Sequence, residues 1–193
     1  MNAMMNKLAP SITNQIRMDH THVLTTFHRY KDETSAAVKK ALVDTICMSV
    51  EIHAQLEEEI FYPAMRSVDP EIVEKSFPEH EQIRQLMSSL KNMEPTNPQY
   101  DRTFMDLMRT IMHHVADEET TLLPEAERLL GDRVHELGAE WMKRKMQLAM
   151  PRTGELAMNT FKAMPASTML LGAGALLAGS YLVAHAFKKH DIS

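Results

Sequence analysis

The segment His53-Ala-Gln-Leu-Glu-Glu-Glu-Ile-Phe-Tyr-Pro63 decides the fold of this chain, because His114-Val-Ala-Asp-Glu-Glu-Thr-Thr-Leu-Leu-Pro124 repeats its pattern further along. In each copy a carboxylate, Glu57 or Glu118, follows the histidine by four residues, and a second carboxylate comes next. Residues four apart lie on the same face of a helix, so each segment presents an imidazole and a carboxylate to one point. This spacing indicates a metal site.

The repeat extends upstream of both segments. His20 precedes His53 by 33 positions, and His80 precedes His114 by 34. An acidic residue stands immediately before each of these two upstream histidines; the two residues are Asp19 and Glu79. The chain therefore contains two helix pairs, and each pair offers a histidine followed by a His-x-x-x-Glu motif.

Apolar residues recur between the motifs at three- and four-residue spacing, which predicts amphipathic helices over residues 11–30, 35–66, 78–90 and 99–123. No strand is predicted. The third helix has two possible openings, Asp69-Pro70 and Phe77-Pro78, so either a short helical turn precedes the main helix or Pro78 kinks one continuous helix. Short links between these helices predict an all-α fold, an up-down four-helix bundle, whose interior is a usual place for metal sites.

The domain organisation follows from changes in composition. The bundle is assigned to residues 11–130, and a Gly131-Asp132 break separates it from a charged helical connector over residues 131–164. Residues 165–188 are almost wholly apolar or small before Lys188. Twenty helical residues span about 30 Å, the thickness of a bilayer core, so this apolar tail helix is predicted to be a transmembrane anchor. The alternative is a helix that packs on the bundle or on a partner.

Charge favours a membrane-associated protein whose bundle lies on the cytoplasmic side, because basic residues are more numerous before the apolar tail than after it. Ala175 and Gly179 form a small-xxx-small pair that allows a homodimer through the tail. The net charge is -5, and the longest basic run is Lys143-Arg144-Lys145. No nucleic-acid partner is therefore predicted.

Six inward-facing side chains fall at similar depth in such a bundle and are the predicted metal ligands: His20, His53, Glu57, His80, His114 and Glu118. The internal two-fold repeat favours two ions, one for each helix pair, with the two glutamates bridging them. Imidazole and carboxylate ligands suit iron, manganese or zinc. Buried carboxylates without partners are costly, and metal coordination offsets that cost.

Neighbouring residues leave two assignments open. His113 and Asp117 share the four-residue spacing, but the repeat and the distance to Pro124 favour His114. Glu58 and Glu119, which follow the predicted bridging residues, suit a surface position or a role in orienting the ligand histidines.

With these ligands in this order, and a proline after each motif, residues 11–130 resemble the hemerythrin-like proteins of the HHE cation-binding family. The resemblance implies a non-haem di-iron centre, with manganese or zinc as less favoured metals. It also implies an open position that meets dioxygen, another small diatomic or peroxide. We therefore expect a protein that binds or senses dioxygen, a related diatomic or iron; the alternatives are a di-iron oxidase or peroxidase and a zinc-bound structural module recruited to the membrane.

One position departs from the family pattern. Hemerythrins that carry oxygen reversibly usually have a second histidine four residues after the third-helix ligand, and this chain has Arg84 there. One nitrogen ligand is thus missing. Water, Glu81 or another side chain is expected to fill the gap and to leave a more exchangeable site.

Overall fold

The computed structural model describes residues 10–163, and its regular structure within that range is entirely helical. The all-α prediction is confirmed for this part of the chain. Two π-helical turns, Glu57–Phe61 and Glu118–Leu122, and a 3-10 turn, Met150–Arg152, connect successive helices. The α-helices are α1 Ile12–Phe27, α2 Ala36–Leu56, α3 Tyr62–Arg66, α4 Ser76–Lys91, α5 Tyr100–Asp117, α6 Leu123–Leu130, α7 Arg133–Ala149 and α8 Thr153–Lys162.

The predicted ligands occupy a polar layer between two apolar clusters. One cluster contains Ile16 of α1 and Leu56 of α2, and the other contains Val23 of α1 and Val50 of α2. On α1, His20 lies between Ile16 and Val23, and on α2, His53 lies between Val50 and Leu56. Burial of the two clusters fixes the helices on either side of the histidines, which holds the polar layer in place.

Each π-helical turn begins at the glutamate of a repeated motif and precedes the proline of that motif. The amides of Tyr62 and Leu123 bond to the carbonyls of Glu57 and Glu118, five residues earlier. Proline lacks an amide hydrogen and its ring clashes with the carbonyl four residues before it, so a wider turn relieves both problems. The predicted end of the fourth helix near residue 123 was therefore wrong, because the helix continues past the proline to Leu130.

The third long helix, α4, begins at Ser76, and irregular turns occupy residues 67–75. Pro78 lies in the first turn of the helix, where a missing amide hydrogen breaks no intrahelical bond. Of the two predicted arrangements, the structure has the one in which turns precede a main helix that begins near Pro78.

Helix α7 covers one flank of the bundle by packing against α1 and α2. The side chain of Trp141 is fully buried, and its ring centroid lies 5.8 Å from that of His53. The side-chain amide of Gln15 donates a 2.6 Å hydrogen bond to the carbonyl of Gly138. The segment predicted as a connector thus forms part of the wall around the histidines.

We expect Gly138→Ala to lower the free energy of unfolding by about 1–3 kcal/mol, as overpacking does. A β-carbon at Gly138 would lie 2.1 Å from the carbonyl oxygen of Pro10, a backbone atom that moves only if α1 and α7 separate. Gly154→Ala is the matched control, because a β-carbon there meets nothing within 4 Å. Alanine in place of that helical glycine is expected to be neutral or to stabilise by up to about 1 kcal/mol. Urea denaturation that ranks the two variants equally would contradict this packing.

The predicted transmembrane anchor, residues 165–188, lies outside the residues that the structure describes. Among residues 10–163, no helix combines the length and the apolar character that crossing a bilayer requires.

Candidate metal centre

The six predicted ligands meet inside the bundle, and all of them are buried. Their ligand atoms form two groups that share Glu57, with all atoms of a group within 4.8 Å of one another. One group is His20, His53, Glu57 and Glu118; the other is Glu57, His80 and His114. The residues that the sequence predicted as ligands are therefore in reach of common points.

The four imidazoles form two matching pairs. His20 and His53 face each other through their Nε2 atoms at 3.2 Å, and His80 faces His114 in the same way at 3.1 Å. The rings of both pairs cross at 68°. The internal repeat of the sequence thus appears as a local two-fold arrangement of the side chains.

A carboxylate lies against the outer nitrogen, Nδ1, of every one of these histidines. The partners are Glu119 for His20 at 2.9 Å, Asp19 for His53 at 3.5 Å, Glu58 for His80 at 2.9 Å and Glu79 for His114 at 2.8 Å. A carboxylate only accepts, so Nδ1 of His20, His80 and His114 donates the hydrogen and the Nε2 atom of each ring faces inward; at 3.5 Å, Nδ1 of His53 makes no hydrogen bond to Asp19. Two lone pairs about 3 Å apart repel unless a cation lies between them.

This supporting set was only partly predicted. Glu58 and Glu119 both contact a ligand histidine, and Glu119 does so from an exposed position. Asp19 and Glu79 were predicted only as members of the repeat, with no role of their own. Each contacts the histidine of the next helix in the bundle. Consecutive helical residues point in different directions, and that geometry was the available signal.

Both central carboxylates reach both histidine pairs. Glu57 lies 3.1 Å from Nε2 of His53 and 3.3 Å from Nε2 of His80. Glu118 lies 3.3 Å from Nε2 of His20 and 3.5 Å from Nε2 of His114. Despite these contacts, one buried oxygen of each carboxylate makes no hydrogen bond. Unpaired buried carboxylate oxygens are costly, so this donor set fits bound metal ions.

Without a metal, protons would take the cation positions in the centre. Burial lowers the pKa of His53, but the carboxylates of Glu57 and Asp19 outweigh it and raise that pKa to about 10. Burial also lowers the pKa of His80, but the Glu57 carboxylate outweighs it, so the pKa of His80 is raised. Against the effect of burial, His53 and His80 hold the pKa of Glu57 well below its usual range. A metal ion must therefore displace protons from these imidazoles.

Tyr62 is a further residue of the centre that the sequence reasoning missed. Its buried hydroxyl lies 3.2 Å from Nε2 of His80 and donates to Glu118 at 3.1 Å. Burial and the two central carboxylates raise its pKa. The equivalent residue of the second motif is Leu123, so a break in the repeat was the signal that marked Tyr62.

At the position of the missing histidine, neither Arg84 nor Glu81 reaches the centre. Arg84 lies at the surface, where its guanidinium donates to Glu58 at 2.5 Å and so braces the carboxylate that orients His80. Glu81 is exposed and accepts from Gln85. Among the described residues, the Tyr62 hydroxyl is the additional donor beside His80.

A small cavity of about 20 Å³ adjoins the four histidines. Its wall also includes Asp19 and aliphatic side chains, namely Val23, Val50, Ala54, Ile83, Ile111 and Val115. A space of this size holds about one water-sized molecule. Its apolar lining suits a small uncharged molecule better than a larger polar substrate.

The family profile described as "Hemerythrin HHE cation binding domain" matches residues 11–126. A protein of Nostoc sp. named "DNA nickase" is 26% identical over 145 residues, which are 75% of this chain and 41% of that protein. The chain thus spans less than half the length of this relative. A crystal structure of a hemerythrin HHE cation-binding domain-containing protein from Mycobacterium kansasii superimposes with a TM-score of 0.66 at 18% identity, over 77% of this chain and 93% of that one. This similarity shows a shared, hemerythrin-like fold.

Proposed function

The chain belongs to the hemerythrin HHE cation-binding family, and we propose that its buried centre holds two iron ions and binds or senses dioxygen, another small diatomic or peroxide. In this proposal four helical segments form an up-down bundle around the centre. They are α1; α2 continued by α3; α4; and α5 continued by α6. His20 and His53 hold one ion, His80 and His114 hold the other, and Glu57 and Glu118 bridge them.

One observation carries this proposal: two imidazole pairs with opposed Nε2 atoms are joined by two buried carboxylates that each approach both pairs. A single ion would use one pair and leave the other without a cation. Two ions give each pair a cation and each carboxylate oxygen a partner, which removes the cost of the unpaired buried oxygens.

The donor set favours iron over zinc. Structural zinc is almost always tetrahedral, with four ligands at a closed site. Here two histidines and two bridging carboxylates would give each ion four ligands, and the Tyr62 hydroxyl beside His80 offers a fifth donor to one of the two ions. Histidine and carboxylate ligands with open positions suit non-haem iron.

The chain's own residues would prepare the centre for a small molecule. The hydrogen bonds that Glu119, Glu58 and Glu79 accept would fix the tautomer of three imidazoles, and the aliphatic wall of the cavity would keep bulk water and larger ligands away from the open position. Bound iron would supply electrons to a small oxidant by cycling between the ferrous and ferric states.

Tyr62 favours a second candidate function, that of an oxidase or peroxidase. Burial and the two central carboxylates keep the Tyr62 phenol protonated in the metal-free chain by raising its pKa, so a ferric ion would have to displace that proton to bind the oxygen. Anionic oxygen ligands stabilise ferric iron, whereas reversible oxygen carriage needs a readily regained ferrous state. A phenol beside His80 therefore supports redox turnover with peroxide or ferrous iron more than transport. The nicking activity in the name of the Nostoc relative is not carried over, because the matched residues are 41% of that protein.

The proposal is tested by anaerobic purification of the full chain from iron-supplemented cells, followed by metal analysis and an absorption spectrum before and after air. Two irons per chain with a near-ultraviolet band that reverses on deoxygenation would support oxygen binding. Irreversible oxidation would favour the oxidase or peroxidase. Zinc, or no metal, would reject the di-iron centre.

We expect Tyr62→Phe to abolish a visible phenolate-to-iron charge-transfer band in the ferric protein while the iron content stays within about a factor of two. The reason is that Tyr62 is one donor beside His80, whereas the histidines and glutamates supply the others. Tyr100→Phe is the matched control: Tyr100 is also buried, and its hydroxyl has no hydrogen-bond partner in the described structure. A band that survives in Tyr62→Phe, or that the parent chain lacks, would exclude Tyr62 as a ligand.

Membrane anchoring through residues 165–188, with the bundle on the cytoplasmic side, also remains a proposal based on the apolar sequence. We expect the full chain to stay in the membrane pellet after carbonate extraction at alkaline pH, because a spanning helix resists removal. Release of the chain into the supernatant would contradict this assignment.

A further inference from the structure

The internal two-fold relates two flanks of the centre that are covered differently. On the first flank, Ile52 and Leu56 lie in the apolar cluster that includes Trp141 of α7. The equivalent residues of the second motif, counted from the histidine, are His113 and Asp117. The side chain of His113 is 71% exposed. The second flank therefore carries polar side chains at the surface where the first has buried apolar ones.

These polar side chains are joined to the buried centre by one carboxylate. Oxygen Oε2 of Glu79 lies 2.8 Å from Nδ1 of His114, and its other oxygen lies 3.5 Å from Nδ1 of His113. Glu79, His113 and Asp117 each offer one ligand atom within 4.8 Å of the other two. One imidazole nitrogen and two carboxylate oxygens are a ligand set for a divalent transition-metal ion.

From this arrangement we infer that Glu79, His113 and Asp117 form a surface site that captures a divalent cation and passes it inward. In the delivery step the Glu79 carboxylate, which touches both histidines, would release Nδ1 of His114 and turn with the cation, so that the cation passes the His114 ring to its Nε2 side. The delivery step rests on the proposed function of the buried centre. The capture step does not.

Charge supports the capture step. Among residues 10–163, one lysine or arginine contacts these two carboxylates: Nζ of Lys75 lies 2.7 Å from one oxygen of Asp117. The site therefore has more negative than positive charge. A local excess of negative charge raises the rate at which cations arrive. Lys75 competes with a cation for Asp117, so its removal should favour capture.

Orienting His114 requires only one carboxylate oxygen of Glu79, Oε2, and leaves Oε1 for a separate contact with His113. Two of the other orienting carboxylates, on Asp19 and Glu58, also contact a basic side chain, Lys145 and Arg84 respectively. Glu79 faces the imidazole of His113 instead, which is a metal ligand rather than a fixed positive charge when it is neutral.

The capture step is tested on the metal-free full chain with Mn²⁺ as the probe. At low Mn²⁺ we expect the ring-proton NMR signals of His113 to broaden more than those of His22, an exposed histidine of α1. Asp117→Asn should remove that difference. Equal broadening of the two histidines, or no effect of Asp117→Asn, would overturn the surface site whether or not the buried centre binds metal.

The delivery step is tested by the rate at which Co²⁺ absorption develops when the ion is added to the metal-free full chain. We expect His113→Ala and Asp117→Asn to load the buried centre about tenfold more slowly than the parent, and to reach the same Co²⁺ content once ions held at the surface are removed by gel filtration. Lys75→Gln should load at least as fast as the parent, and His22→Ala at the parental rate.

The outcomes separate the two proposals. Parental loading rates in both His113→Ala and Asp117→Asn would overturn delivery through this flank while leaving the buried centre intact. A parent chain that takes up no Co²⁺ would overturn the proposed function, and delivery with it. Unchanged circular dichroism spectra of the variants would show that slow loading does not come from misfolding.

Discussion

Glu57→Gln is expected to weaken metal binding about 100-fold or more, so that the purified chain retains one iron or none. Loss of a residue that only supports a metal ligand typically costs 10–100-fold in affinity, and loss of a bridging ligand should cost at least as much. Glu57 is fully buried and approaches Nε2 of both His53 and His80. Glutamine keeps the shape of the side chain but removes the charge and one acceptor. Metal analysis and a competition titration with a chelator would measure the change.

The neighbouring glutamate supplies a matched control. Glu59 lies two residues further on and is exposed, where it pairs with Arg144 at 2.7 Å. Glu59→Gln removes the same charge from the same motif without touching the centre, so its iron content should equal that of the parent. Equal metal loss in the two variants would mean that overall charge, and not coordination, governs binding.

Removal of the metals is expected to lower the thermal midpoint by about 8–16 °C. A ligand at 1,000 times its dissociation constant stabilises the folded state by about 4 kcal/mol. For a chain of this size each kcal/mol moves the midpoint by about 2–4 °C. The physical source is the loss of the cations between the opposed imidazoles and beside the unpaired oxygens of Glu57 and Glu118. Thermal unfolding with and without a chelator, followed by restoration with ferrous iron, would measure it.

This metal-dependent gap should widen as the pH rises from about 7 to 9. In the metal-free chain the pKa of His53 is raised from 6.5 to about 10. The protonated imidazole therefore contributes stability that is complete below pH 6.5 and is lost as the pH rises through 10. The metal replaces this proton, so a higher pH favours loading while it weakens the metal-free chain. A gap that stays constant or narrows over this range would contradict proton displacement from His53.

The sequence predicted much of the fold because the hydrophobic spacing and the repeated motifs agree with each other. The helix bounds near Ser11 and Arg66 were anticipated to within a residue or so. The continuation past Pro124 was not, because a proline inside a helical pattern normally ends the helix. A π-helical turn at the same place in both motifs lets the helix pass its proline.

The centre was predictable where the same face of a helix carries both ligands, as with His53 and Glu57. It was not predictable where contacts cross between helices. The pairing of Asp19 with His53 depends on the rotation of two helices against each other, which spacing along one helix does not encode. Tyr62 was missed for a related reason: its hydroxyl contacts His80 and Glu118, which lie on other helices, and spacing along its own helix does not encode those contacts.

The two histidine pairs of the centre differ in their surroundings. Trp141 closes the flank beside His53. Tyr62 adds an oxygen beside His80, and the polar flank next to His114 reaches the surface through Glu79. If two ions bind, we therefore expect them to be inequivalent.

Anomalous diffraction at the iron edge, from crystals of the iron-loaded full chain, tests the central claim most directly. The account predicts two peaks inside the bundle, one bordered by His20 and His53 and the other by His80 and His114, with Glu57 and Glu118 contacting both. A single buried peak, or iron found only at the surface beside His113, would contradict it.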